Sequence, residues 1–165
     1  MRTHSIVGAL AALVLSFAAC GGSPASSTEQ AVQREADRHA IEQIEAQWHK
    51  ATSSHDIDLM MSLWAPNATF TVSPGKTLSG VDEIRAFWLE TRAFQPGNEW
   101  VSETPSYKIR VTVDGNRGTL YFECHYVDAE TAEVVATTAA DAQVARIDGR
   151  WLITNNVGAT AILSP

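Results

Sequence analysis

Between residues 29 and 55, apolar side chains recur at Ile41, Ile44, Trp48 and Ala51. Spacings of three, four and three place them on one stripe of a long helix, with Glu42, Glu45 and Lys50 on the other faces. The pattern breaks at Thr52-Ser53-Ser54-His55. Asp56 then has the chemistry of an N-cap for a short second helix through Leu59, Met60, Leu63 and Trp64, which Pro66-Asn67 stops. Ala68 to Ser73 alternates like a strand, Pro74-Gly75 turns it, and Lys76 to Ser79 predicts a short strand paired back on it. Gly80 to Arg92 predicts a third helix with Val81, Ile84, Phe87 and Trp88 inside, followed by a Pro/Gly loop over 93–99.

From Trp100 onward the texture changes to strands: Trp100 to Val113, Thr119 to Val127, Glu133 to Ile147 and Arg150 to Ile162. Asp114-Gly115-Asn116, Asp128-Ala129-Glu130-Thr131 and Asp148-Gly149 separate them with turn chemistry. Long strands joined by short loops predict an antiparallel, strongly curved sheet. The expectation is an α+β fold: a cone-shaped antiparallel sheet with three helices on its concave side and an interior cavity.

The N-terminus does not fit this domain. Met1 to Ser5 is short and basic, and Ile6 to Ala19 is almost wholly apolar, too short for the roughly 20 residues of a permanent span. Leu15 to Ala19 followed by Cys20-Gly21 resembles a bacterial lipobox, in which the cysteine is lipidated; an ordinary signal peptide cleaved after Ala19 is the alternative. Residues 1–19 therefore read as a leader, 20–28 as a small-residue tether, and 29–165 as one domain. Multiple acylation at Cys20 would hold that domain at a membrane of the cell envelope, facing the periplasm or the exterior.

Loss of Arg2 with the leader takes the net charge from −7 to about −8. With no Lys/Arg cluster, nucleic acid is not an expected partner. Cys124 is the only other cysteine, so packing rather than a disulfide must hold the domain. Glu123 and His125 share a strand face but are too few for a closed metal site, and His39, His49 and His55 lack ligand spacing. No phosphate loop is evident, and neither metal nor cofactor is expected.

Four stretches carry a family resemblance: Trp48 to Asp56, Leu63-Trp64-Ala65-Pro66-Asn67-Ala68-Thr69-Phe70, Gly80 to Trp88, and Asp148-Gly149-Arg150-Trp151-Leu152-Ile153. In order and spacing they resemble the SnoaL-like branch of the nuclear transport factor 2-like superfamily, over roughly Glu35 to Ala161. That fold hosts isomerases, dehydratases, hydrolases, cyclases and non-enzymatic binding or association domains, so activity must be argued from the site. In the ketosteroid isomerases of the superfamily an Asp base ends the first strand. The resemblance puts Val72, or Ser73 one residue on, at that place, and neither abstracts a carbon-bound proton. The oxyanion-hole positions fall on Trp48 and Gln143, with Asp141 two residues earlier.

The family register implies that Leu120, Phe122, Cys124 and Tyr126 point inward, with Asp141, Gln143, Thr154 and Asn156, and with Phe70 and Val72 from the first strand. Trp48, Trp64 and Trp88 face them from helices. This is an aromatic chamber with a few polar groups, open to two readings, core packing or ligand contact. Three functions follow. The first is binding of a small, partly apolar molecule by Trp48, Trp64, Phe70, Trp88, Phe122, Tyr126, Gln143 and Asn156. The second is an enzyme with Asp141 as general acid/base. The third is an association module that dimerises through the outer sheet face at Tyr121, Glu123 and His125.

Overall fold

The fold is described by a computed structural model covering residues 26–72, 75–95, 100–101 and 108–162. The leader, Cys20 and Ser73 lie outside the described residues. Helix α1 runs from Ser27–Ser53. The Ser26 hydroxyl accepts the Glu29 N–H, and the Glu29 carboxylate accepts the Ser26 N–H at 2.7 Å, a reciprocal cap. These bonds, the backbone one foremost, hold the Glu29 carboxyl below its ordinary pKa. The helix buries Ile41, Ile44, Trp48 and Ala51 as the spacing predicts. Asp56 caps α2 (Ile57–Met61) by accepting the Leu59 N–H at 2.8 Å. Helix α3 is Val81–Glu90, shorter than expected, and a 3-10 turn follows at Arg92–Phe94.

Among the described residues, seven strands form one sheet: β1 (Trp64–Val72), β2 (Lys76–Ser79), β3 (Trp100–Val101), β4 (Lys108–Asp114), β5 (Arg117–Asp128), β6 (Val134–Ile147) and β7 (Arg150–Ile162). The order is β2-β1-β7-β6-β5-β3, with β4 also paired to β5. Of the expected strand from Trp100 to Val113, the described residues pair along β5 at two places: Val101 with Val127, and Lys108 with Glu123.

The expectation of an antiparallel sheet is corrected at one ladder, because β1 and β7 run parallel, with Phe70 opposite Asn156. Short hairpins dictate direction only for the strands they join. Strand β7 reaches β1 after the whole β4–β7 meander, so no hairpin constrains that pair. The result is a mixed sheet in an α+β domain with three helices. The helices cover the sheet face carrying Phe70, Leu120, Phe122, Ala142, Val144 and Ile153, which form one core with α1 and α3.

Candidate functional site

Sheet pairing decides which residues face the helices. On β5, Leu120, Phe122, Cys124 and Tyr126 are all buried, as expected. Directly opposed residues of neighbouring strands share a face. Leu120 opposes Ala142, and Ala142 opposes Asn156, so both lie inside. By the same register Asp141 opposes Tyr121 and Gln143 opposes Thr119, which puts both on the outer face, where they are exposed. The inward placement of Asp141 and Gln143 is therefore corrected by one residue. Thr154, also expected inward, sits at the bulge between the Gln143 and Val144 pairs, and its hydroxyl donates to the Gln143 carbonyl at 3.1 Å. Gln143 and Thr154 line an outer cleft of about 460 Å³ with Thr112, Asp114 and Arg117.

What remains inside is a cluster of rings. Phe70 on β1 lies 5.2 Å from Trp64, 5.5 Å from Phe87 and 6.0 Å from Trp88, the last nearly parallel at 14°. Trp48 on α1 meets Trp64 at 5.9 Å, Trp88 edge-on at 5.0 Å and Phe122 at 5.5 Å. Phe94 closes the far side, 5.8 Å from Trp88. Distances and tilts of this kind are those of attractive ring pairs, each worth about 0.5–1.5 kcal/mol beyond its buried area. Trp48, Trp64, Phe70, Trp88 and Phe122 thus meet in one place, as expected.

The polar atoms within this cluster are unusual. The indole N–H groups of Trp48, Trp64 and Trp88 are buried without a hydrogen-bond partner, and so are both Nδ2 and Oδ1 of Asn156. Asn156 is 0 % exposed. Its neighbour Asn155 points the other way and donates to the Thr69 hydroxyl at 2.7 Å. An unpaired buried donor or acceptor costs about 1–3 kcal/mol, so native structures keep few of them. The Tyr126 hydroxyl lies beside Thr52 and Trp48. Burial, reinforced by Cys124, pushes this phenol well above its ordinary range, and its contacts with Thr52 and Trp48 pull weakly the other way. The Trp48 N–H falls short of hydrogen-bond geometry in that contact.

Two charged arrangements escaped the sequence reading. Glu45 and His49 are both buried, with Nδ1 of the imidazole 3.3 Å from the carboxylate and the ring 6.0 Å from Phe122. The signal was present: Ile41, Glu45 and His49 repeat every four residues beside the apolar stripe, so the buried face of α1 is wider than the stripe alone. Asp37 accepts hydrogen bonds from Arg146, from the Trp151 indole at 3.2 Å and from Gln33 at 3.0 Å. No local pattern links Asp37 to Arg146 or Trp151, because both lie more than a hundred positions away.

A sequence profile of the SnoaL-like domain matches residues 33–156. Among solved structures, the chain is similar to a protein of unknown function with a cystatin-like fold from Nostoc punctiforme. The identity is 15 %, 85 % of this chain and 96 % of that one are covered, and the TM-score is 0.66. An NTF2-like protein with a cystatin-like fold from Novosphingobium aromaticivorans is similar at 18 % identity, covering 84 % and 90 %, with a TM-score of 0.66. LinA is similar at 18 % identity, covering 82 % and 92 %, with a TM-score of 0.65. These likenesses show the fold. No curated protein matches the chain.

Proposed function

Because the chain belongs to the SnoaL-like domain family of the NTF2-like superfamily, we propose that its domain binds a small, partly apolar molecule between the helices and the inner face of a cone-like sheet. One observation carries this reading: the unpaired polar atoms of Trp48, Trp64, Trp88 and Asn156 all lie within one aromatic cluster. Trp48, Trp64, Phe70, Trp88 and Phe122 pack on the apolar body of the ligand, and Tyr126 and Asn156 meet its polar groups. Phe87 and Phe94, only partly buried, mark the side of entry. The test is native mass spectrometry of the protein extracted in mild detergent. A reproducible small-molecule adduct is expected, lost in Trp48→Ala and Asn156→Ala. Protein that is empty, and whose tryptophan emission no added aromatic compound changes, would remove the reading.

A second reading, an acid–base enzyme, is favoured by the Glu45–His49 pair rather than by Asp141. A carboxylate on Nδ1 orients an imidazole for proton transfer at Nε2. In that case Glu45→Gln retains the adduct and loses its conversion. We further propose that the domain is tethered by lipid at Cys20 and dimerises through the outer sheet face. The lipobox-like leader and the Lys108–Glu123–Tyr121 network on that face support these two points. Cys20→Ala should abolish fatty-acid labelling, and Tyr121→Ala should lower the mass measured by light scattering.

A further inference from the structure

Asn156 defines the chemistry that the ring cluster recognises. Its amide presents a coplanar donor, Nδ2–H, and acceptor, Oδ1, and both are unpaired in a residue with no solvent exposure. The amide shares its space with Phe70: a Cβ added at Gly158 would lie 2.8 Å from the Phe70 ring and 4.0 Å from Asn156 Nδ2. Trp88 stacks nearly parallel on Phe70, so a pair of flat rings borders a polar edge.

Within the ring cluster itself the other unpaired groups are the three indole N–H donors, which are neutral and cannot accept; Arg146 Nε belongs to the Asp37 clamp instead. Among the buried titratable residues, Asp37, Glu45 and His49 belong to α1 and Cys124 and Tyr126 to β5; Asp37 is engaged by Arg146 and Glu45 by His49. A charged ligand would lose its hydration here against the neutral indole donors. An uncharged ligand with a matching edge would not. A carboxamide edge is satisfied in full by an adjacent C=O and N–H in one plane, the pairing by which Asn reads a nucleobase edge.

We infer that the site takes a flat, uncharged aromatic lactam: a ring carrying neighbouring C=O and N–H groups, read by both atoms of Asn156 while the ring packs against the stacked Phe70–Trp88 pair. The lactam oxygen accepts from Nδ2, the lactam N–H donates to Oδ1, and a further carbonyl accepts from an indole. This rests on the ligand-binding reading above and goes beyond it by stating the edge that is recognised.

The test is calorimetric titration of the detergent-extracted protein with 2-pyridone and 2-quinolone, each beside its N-methyl counterpart, and with naphthalene. Methylation replaces the lactam donor by a methyl group and leaves Oδ1 unpaired. The expected result is at least a tenfold loss of affinity on N-methylation, equivalent to about 1.4 kcal/mol. In Asn156→Leu that difference disappears and naphthalene binding is retained or improved. If parent and N-methyl compounds bind the wild type equally and naphthalene also binds, the lactam inference falls and the apolar binding site stands. If no probe binds either protein, both fall. The wild-type comparison decides alone where the variant does not fold.

Discussion

Asn156 is the residue at which stability and function part. A buried amide with neither atom paired is a net cost to the empty protein, about 1–3 kcal/mol for each group. Replacing it by an apolar residue of similar size removes that cost without opening a cavity. Asn156→Leu is therefore expected to raise the unfolding free energy of ligand-free protein by about 1–3 kcal/mol, read as a higher urea midpoint with an unchanged slope. A lower midpoint would mean that the amide is already paired, by bound water or by ligand carried through purification. Tyr126 acts in the opposite sense, because burial raises its phenol above the ordinary value of 10.0. Below pH 10 the phenol is protonated in both states and its stabilisation is complete. Above it the unfolded chain releases the proton first, so stability falls by up to about 1.4 kcal/mol per pH unit. Tyr126→Phe should flatten that decline, seen by comparing urea midpoints on either side of pH 10. Tyr121, raised by its bond to Glu123, leaves a residual slope.

At the scale of elements, the contact between α1 and the β4–β5 hairpin depends on a residue with no side chain. A Cβ at Gly118 would press into the Thr112 carbonyl oxygen and sit 3.1 Å from Ile41 Cδ1 and 3.3 Å from Val144 Cγ2. The backbone oxygen has no rotamer to yield, so Gly118→Ala should cost about 1–3 kcal/mol, measured by thermal unfolding. This also explains what the sequence made legible. Where hydropathy contrast is strong, as along α1, β2 and α3, the element type read correctly, although α3 ends two residues early, and β7 was placed at its observed limits, Arg150–Ile162. Strand β1 begins earlier than expected, at Trp64, because Pro66, which has no N–H to donate, sits where the ladder to β7 shifts register between Trp64 and Thr69. Strand β6 was misread by one residue for a different reason. Its run Ala139-Ala140-Asp141-Ala142-Gln143 carries small residues on both faces, so periodicity alone does not state which parity is buried. The ladder to β5 states it, and with it the exclusion of Asp141 and Gln143 from the inner face. Trp48 and Trp88 were legible from helical spacing, and Phe70, Phe122, Tyr126 and Asn156 from the family register, whereas Trp64, expected on a helix, opens β1. Glu45 and His49 were not, since charge on a helix reads by default as solvated surface.

At the scale of the whole molecule, α1 lies across the sheet and is fastened at two places with different physics. Around Trp48 the contact is aromatic and non-directional. Around Asp37 it is a clamp: one carboxylate gathers Arg146 from β6, the Trp151 indole from β7 and Gln33 from its own helix, and the Arg146 guanidinium packs over the Trp151 ring at 5.2 Å. Removing one partner of a fully buried pair costs about 3–5 kcal/mol because the other charge is stranded. Arg146 retains access to water, with 27 % of its side chain exposed, so a smaller loss is expected here. We predict that Asp37→Ala lowers stability by about 2–3 kcal/mol, and that Asp37→Asn loses less because its amide oxygen still accepts from Trp151. Urea unfolding of the two variants measures the difference. Asp37 and Trp48 lie about three helical turns apart, on the order of 16 Å, so the clamp positions the helix without touching the ring cluster. Both variants should therefore keep the ratio of lactam to N-methyl-lactam affinity while losing stability. A change in that ratio would show that the far end of α1 sets the geometry of the site, and that the two fastenings act as one.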